Sequence, residues 1–289
     1  MRLHGDRDLS VYGIFGYPLK HTASPAIQNS AFDHHSLKSM YFAFERTPAE
    51  FRALMRNLKT FLLDGFNLTV PFKETVIPYL DRLSPDAKAI GAVNTVKKEG
   101  RRWIGYNTDG HGFLAGLREA RFRPRGKSAV ILGAGGSSRA VIFALAKQGA
   151  KRMVIANRTR SRADRLVRRF RRLFPKVSFE RVDLRGSAFR NAVGTVDLVV
   201  NATQVGLRNS RETLIPKRWL PKHRILVYDL IYKPRRTQLL QEARLAGHRV
   251  QNGETMLLHQ GAKAFQLWTG RSAPLAKMKK ALAGALQAK

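Results

Sequence analysis

Apolar positions along the chain recur with two alternating periods. Short runs in which every residue or every second residue is apolar give way to stretches with apolar residues three and four apart, which predicts an α/β fold with mostly parallel sheets. Val11–Gly16 reads as the first strand, followed by Ser24 as a helix N-cap with Pro25 at the first helical position. Thr47-Pro48-Ala49-Glu50 has the form of a capping box, opening a helix whose apolar face is Phe51, Leu54, Leu58 and Phe61. Further strands are expected at Met40–Phe44, Gly65–Val70 and Ala92–Val96, the last with a hairpin-like partner at Arg102–Gly105.

A second unit starts near residue 125. Ser128–Leu132 reads as a buried strand and ends in Gly133-Ala134-Gly135-Gly136-Ser137-Ser138, and a helix follows that stops at Gly149. Strands recur at Arg152–Ala156, Val177–Val182, Val196–Val200 and Ile225–Leu230, a doubly wound, nucleotide-binding pattern. After Gly253 the chain turns helical, with Met256, Leu257, Gln260, Ala264, Leu267 and Trp268 at helical spacing. These last helices exceed what a Rossmann unit needs and are expected to return to the first domain. The division read from the pattern is 1–112 plus 254–289 for one domain and 113–253 for the other.

Strand, glycine-rich turn and helix are contiguous at residues 128–149. Small residues let the backbone approach a pyrophosphate, whose charge then meets a helix N-terminus. Gly133, Ala134, Gly135, Gly136 and Ser137 are therefore candidate cofactor residues. A site for NAD usually carries an acid at the end of the next strand, to bond the ribose 2′-hydroxyl. Here that strand runs into Asn157-Arg158-Thr159-Arg160-Ser161-Arg162, with no carboxylate. Guanidinium groups suit a 2′-phosphate, so Asn157, Arg158, Thr159 and Arg162 point to NADP(H), with Arg158 best placed.

Composition narrows the chemistry. The chain has no cysteine, which excludes disulfides, iron–sulfur clusters and cysteine nucleophiles. His34, His35 and His259 lack the spacing of metal ligands, and no metal is expected. The first residues have no apolar leader core, and no run of about 18 apolar residues occurs, so a cytoplasmic protein is expected.

The first half carries a second set of polar residues. Asn67 and Thr69 alternate along one strand and so share a face suited to a polyhydroxylated ligand, with Lys73 just beyond Pro71. Gly91-Ala92-Val93-Asn94-Thr95, Asn107-Thr108-Asp109-Gly110 and His21-Thr22-Ala23-Ser24-Pro25 accompany them. Together these segments resemble the shikimate dehydrogenase family, and the resemblance runs from Tyr12 to about Trp268. It implies an NADP-dependent oxidoreductase of aromatic amino-acid biosynthesis that reduces 3-dehydroshikimate to shikimate. It also implies the roles of individual positions. Lys73 and Asp109 match the catalytic pair; Thr22 and Ser24 match the hydroxyls that hold the substrate carboxylate; Asn67, Thr69, Asn94 and Gln260 match residues that grip ring hydroxyls. Tyr232 matches a tyrosine near the substrate, and Asn201, Thr203, Leu230 and Gly253 fall along the cofactor side. His21 is expected to be structural. Two positions depart from the family: Thr22 stands for its first serine, adding a methyl that bears on shikimate against quinate preference, and Gln204 follows Asn201-Ala202-Thr203.

The remaining feature is charge. Lys and Arg number 53 against 20 Asp and Glu, a net charge of +33. Between Arg118 and Arg190 alone stand 21 basic and four acidic residues, many on one helix whose buried stripe is Ala163, Leu166, Val167, Phe170 and Leu173, with Ser161 as its cap. The excess is read first as a surface feature with no specific partner. The alternatives are steering of an anionic substrate and cofactor and a nucleic-acid-associated NADP-binding relative. No aromatic-interleaved basic strand supports the last. A small-molecule substrate, no membrane, and a monomer or homodimer complete the expectation.

Overall fold

The computed structural model describes residues 9–19, 22–209 and 211–287; His21 lies outside them. In chain order the elements are β1 (Ser10–Gly16), α1 (Ser24–His34), β2 (Ser39–Glu45), α2 (Pro48–Arg56), β3 (Gly65–Leu68), α3 (Phe72–Thr75), β4 (Arg82–Leu83), α4 (Pro85–Ile90), β5 (Thr95–Glu99) and β6 (Arg102–Tyr106). There follow α5 (Asp109–Glu119), β7 (Ser128–Leu132), α6 (Gly136–Lys147), β8 (Arg152–Ala156), α7 (Arg160–Leu173), β9 (Ser178–Val182), α8 (Ser187–Gly194) and β10 (Leu198–Asn201). Last come β11 (Leu226–Asp229), α9 (Gln238–Leu245), β12 (Arg249–Gln251), α10 (Glu254–Thr269) and α11 (Leu275–Gln287). The chain forms two compact units, Met1–Thr108 with Leu258–Lys289, and Asp109–Leu257. One boundary falls inside α10, after its first turn.

The first unit is built on a mixed sheet of order β2-β1-β3-β5-β6-β4. β2, β1 and β3 run parallel, while β5 is antiparallel to both β3 and β6. Its core gathers Phe15, Phe51, Phe66, Phe72 and Trp103, with Phe51 stacked on Phe72 at 3.9 Å between ring centroids. The capping box forms: the Glu50 N–H donates to the Thr47 side chain while the Glu50 carboxylate accepts from the Thr47 N–H. α2 ends at Arg56, so Phe51 and Met55 are its buried residues, Leu58 follows in a short 3₁₀ turn, and Leu54 and Phe61 are only half-buried. α11, at the far end of the chain, packs on α1.

The second unit is a fully parallel sheet of order β12-β11-β10-β7-β8-β9. Numbered within the unit this is the 3-2-1-4-5-6 order of a dinucleotide-binding Rossmann fold, with its topological switch point between β7 and β10. Val130, Val154, Val199 and Val227 fill its centre. Strands buried on both faces account for the continuous apolar runs seen in the sequence.

Several local expectations are corrected. α1 opens one residue early, because Ala23 already has right-handed helical φ/ψ and takes the N-cap position; Ser24 lies inside the first turn and is not a cap. β3 stops at Leu68, before Thr69 and Val70, because the chain turns: the Phe72 N–H donates to the Thr69 carbonyl at 2.8 Å. β5 starts at Thr95 rather than Ala92, since the Val93 N–H bonds the Lys73 carbonyl at 2.7 Å instead of extending the ladder. Ser161 is not a cap either: α7 begins at Arg160, and Thr159 holds the N-cap position without a side-chain bond. Leu173 is exposed, because the apolar stripe passes instead to Phe174, which stands edge-on to Phe143.

Candidate functional site

The first unit concentrates its polar side chains where β3, β5 and α10 come together. Asn67 and Asn94 are both buried. The Asn94 amide nitrogen donates to Thr108 Oγ1 at 2.9 Å and to Gln260 Oε1 at 3.2 Å, while its oxygen accepts from the Thr108 N–H at 2.7 Å. Asn94 therefore ties the segment that ends at Thr108 to α10. Asn67 donates to the Asn94 carbonyl and to Thr95 Oγ1, each at 3.0 Å, and accepts from the Tyr41 hydroxyl at 2.7 Å. Both of its N–H groups are thus committed within the protein, leaving one lone pair on Oδ1 for any ligand.

Thr69 is half-buried at the end of the β3 segment, its N–H bonded to the Phe15 carbonyl at 3.0 Å. Lys73 follows in the single turn of α3, half-buried, with its carbonyl held by Val93. Thr22 Oγ1 accepts from the Ser24 N–H at 3.3 Å, which sets these two hydroxyl residues side by side at the start of α1. The structure thus brings Asn67, Asn94 and Gln260 into one hydrogen-bonded group and pairs Thr22 with Ser24.

Asp109 is the first residue of α5 and of the second unit, buried and covalently joined to Thr108. In that unit the glycine-rich turn leaves β7 with Gly133 at φ +107°, a left-handed backbone that favours glycine. A Cβ there would lie 3.1 Å from the Ala202 carbonyl and 3.2 Å from Thr203 Cγ2, so the ends of β7 and β10 adjoin at the switch point. Ala134 is buried and precedes Gly135, which takes the N-cap position of α6 with no side chain to cover the helix end; Gly136 and Ser137 form the first turn. Ser138, at the sixth position of the fingerprint, is fully buried and its hydroxyl has no partner among the described residues. It fills the packing position that a third glycine would otherwise occupy.

At the end of β8, Asn157 Nδ2 donates to the Thr159 carbonyl at 2.8 Å, which shapes the turn into α7. Arg158 and Arg162 are exposed there. The site has the features NADP requires: a glycine-rich approach, an uncapped helix start, and guanidinium groups where an acid would oppose a 2′-phosphate.

The opposite edge of the crevice depends on a network that sequence reading missed. Asp229, fully buried at the end of β11, accepts from Asn201 Nδ2 at 3.0 Å, the Ile231 N–H at 3.1 Å and Thr237 Oγ1 at 2.6 Å. Asn201 in turn accepts from Thr203 Oγ1 at 2.7 Å, and the Leu230 N–H bonds the Asn201 carbonyl at 3.0 Å. Burial pushes the Asp229 carboxyl up to about 6, against the three donors that pull it down. Its signal in the sequence was an acid inside an otherwise apolar strand. Gly253 donates its N–H to the Ile231 carbonyl at 3.0 Å, and a Cβ on it would collide with the Leu230 carbonyl. Close backbone packing behind Leu230 therefore accounts for the glycine at 253. Tyr232 is half-buried next to these residues in the chain. Among the described residues no group of His, Asp or Glu is arranged to hold a metal ion, and no helix is long and apolar enough to cross a membrane.

Comparison with known proteins matches these parts in order. Residues 14–96 match the family model of the shikimate dehydrogenase substrate binding domain, 117–225 that of shikimate / quinate 5-dehydrogenase, and 253–283 that of the shikimate 5′-dehydrogenase C-terminal domain. The shikimate dehydrogenase (NADP(+)) of Moorella thermoacetica is 46% identical over 95% of this chain and 93% of its own length. A crystal structure of a shikimate dehydrogenase in complex with NADP+ superposes with a TM-score of 0.87 at 36% identity, covering 97% of this chain and 96% of that one. That of Thermus thermophilus in complex with NADP(H) and shikimate gives 0.84 at 35% identity, covering 96% and 100%. The polar group on the first sheet, the glycine-rich turn of the second and similarity along nearly the whole length lead to one assignment: this chain belongs to the shikimate dehydrogenase family.

Proposed function

We propose that the chain is an NADP(H)-dependent oxidoreductase that interconverts 3-dehydroshikimate and shikimate. The first unit with its C-terminal helices serves as the substrate domain and the Rossmann unit as the cofactor domain. The observation that carries this reading is the hydrogen-bonded group of buried Asn67 and Asn94 with half-buried Gln260, a constellation suited to a polyhydroxylated ring, in a chain of the shikimate dehydrogenase family.

In this reading Thr22 and Ser24 receive the substrate carboxylate, and Thr69, Asn94 and Gln260 bond its ring hydroxyls. Gly133, Ala134, Gly135, Gly136 and Ser137 accept the pyrophosphate of NADP, and Asn157, Arg158, Thr159 and Arg162 its 2′-phosphate. Thr203, Leu230 and Gly253 shape the nicotinamide end. The cofactor supplies or accepts the hydride. Charge that develops on the substrate oxygen during reduction is met by the Lys73 ammonium, which also delivers the proton. Asp109, which matches the carboxylate of the family's catalytic pair, is assigned the partner role to Lys73. In the oxidative direction Lys73 takes that proton back.

The test is an assay of the wild-type chain with shikimate and quinate against NADP+ and NAD+, four combinations. Turnover fastest with shikimate and NADP+ is expected. Turnover with none of the four overturns the proposal. Preference for quinate revises the substrate and traces it to the methyl of Thr22, since one methyl decides about 1–3 kcal/mol in a pocket.

A further inference from the structure

A cavity of about 560 Å³ opens in the second unit, where the last turns of α5 and α6 meet the loop that leads into β7. Its volume is that of a small-molecule site. The chain shapes its wall through two helix endings of the same form. At α5 the Phe122 N–H donates to the Leu117 carbonyl at 2.8 Å and the Arg121 N–H to the Arg118 carbonyl at 2.9 Å, with Arg121 at φ +50°. At α6 the Ala150 N–H donates to the Leu145 carbonyl and the Gly149 N–H to the Ala146 carbonyl, each at 3.0 Å, with Gly149 at φ +79°. Both are Schellman motifs. The Gly126 N–H then bonds the Gly149 carbonyl at 2.8 Å, which ties the loop to the end of α6. Backbone hydrogen bonds therefore fix the shape of the cavity.

Leu114, Leu117, Phe122 and Pro124 give the cavity an apolar side. Arg118, Arg123, Arg125 and Lys147 give it charge, and no acid lines it. The guanidinium groups of Arg118, Arg123 and Arg125 are exposed and have no hydrogen-bond or ion-pair partner among the described residues. Glu119, the acid next to Arg118 in the chain, accepts instead from Gln251 and Thr255. A cation in the last turn complements a helix dipole, which accounts for Arg118 and Lys147. Arg123 and Arg125 lie beyond the helix and have no such role. Like charges gathered around one cavity repel one another until an anion lies among them.

We infer that this cavity is a binding site for a phosphate monoester carried on a compact ring. Arg118, Arg123 and Arg125 bond the phosphate, and the ring lies on the apolar side. Four lining cations with no acid favour a dianion, which a phosphate monoester is near neutral pH, over a carboxylate with a single charge. The site is separate from the proposed substrate and cofactor residues. α5 begins at Asp109 and α6 at Gly136, and the cavity lies at their other ends, about 15 Å away along each helix. Binding here is independent of the reaction proposed above.

The test is isothermal titration calorimetry of the full chain with phenyl phosphate, inorganic phosphate and benzoate at low ionic strength. Phenyl phosphate is expected to bind about tenfold more tightly than either of the others, since inorganic phosphate lacks the ring and benzoate the second charge. In Arg118→Gln/Arg123→Gln its affinity should fall about tenfold or more. Two controls should each change it by less than about twofold: Arg165→Gln/Arg168→Gln, which removes the same charge from the exposed face of α7, and Arg158→Ala, at the proposed 2′-phosphate site. No binding of phenyl phosphate, or equal affinity for phenyl phosphate and inorganic phosphate, overturns the inference. So does an equal fall in the α7 control, which would reduce binding to the general field of the +33 chain, and so does a fall in Arg158→Ala alone. Should the double variant fail to fold, Arg123→Gln by itself, in the loop, reads the same loss with the same outcomes.

Discussion

Asp229→Asn isolates the energetic cost of a buried carboxyl at the edge of the cofactor crevice. Burial raises its pKa from an ordinary 3.8 to about 6. Below 3.8 the acid is protonated in both folded and unfolded chains and carries no pH-dependent term. Between 3.8 and about 6 the unfolded chain releases the proton while the folded chain retains it, so stability falls as pH rises through this window and levels off above it. At 1.36 kcal/mol per pH unit the fall amounts to about 3 kcal/mol. Asparagine has the same shape, cannot ionise, and can still accept from Asn201 and Ile231 while donating to the Thr237 hydroxyl, which is able to rotate. Urea unfolding of both proteins from pH 4 to pH 8 gives the comparison, with other titrating groups cancelling in the difference. Because the unfolded acid is already partly ionised at pH 4, the wild-type chain should lose about 2.4 kcal/mol relative to Asp229→Asn between the ends of that range. A difference that does not change with pH would refute the reasoning and mean that Asp229 ionises as freely in the folded chain as in the unfolded one.

Three further outcomes are expected. Arg158→Ala should raise KM for NADP+ about 10- to 100-fold, the loss of a charge-assisted bond, with little change for NAD+; equal effects on both cofactors would remove Arg158 from the 2′-phosphate site. Gly253→Ala should lower the melting temperature and weaken NADP+ binding measured by fluorescence titration, because its Cβ meets the Leu230 carbonyl; a wild-type melting curve would contradict that packing. Raising ionic strength should lower kcat/KM more than kcat if the +33 charge steers anionic reactants, and kcat/KM independent of salt would leave the charge a surface feature.

The architecture was legible where burial imposes a strict period. The central strands of the Rossmann unit are buried on both faces, so Ala129–Leu132 and Met153–Ala156 stand out as uninterrupted apolar runs, and the strands Ser128–Leu132 and Arg152–Ala156 are found with their bounds. The two-residue β4 and three-residue β12 are too short to establish any period. Cap positions misled at Ser24 and Ser161 for a common reason. A serine near a helix start caps it only if its own backbone is still non-helical, whereas Ser24 and Ser161 already lie inside their helices, a difference that residue type does not reveal.

The functional residues divide in the same way. Gly133 to Ser138 and Arg158 announce themselves through chemistry that is local in sequence. Asp229 does not, because its meaning lies in partners far along the chain: Asn201 is 28 residues from it. The basic residues of α7 show the converse. Ala163, Leu166, Val167 and Phe170 are buried as the periodicity requires, and Arg165, Arg168 and Arg172 occupy the solvated face, so the charge leaves the fold unchanged.

Lys73→Ala offers the most direct test of the account. Oxidation of shikimate by NADP+ is followed through the near-ultraviolet absorbance of the reduced nicotinamide, for wild type and variant side by side, with shikimate varied to separate kcat from KM. The wild-type chain should turn over, and the variant's kcat should fall by about 10²–10⁴-fold, the contribution of general acid–base catalysis, with KM changing far less. A variant that retains near-normal kcat would contradict the assignment of Lys73 and the mechanism built on it.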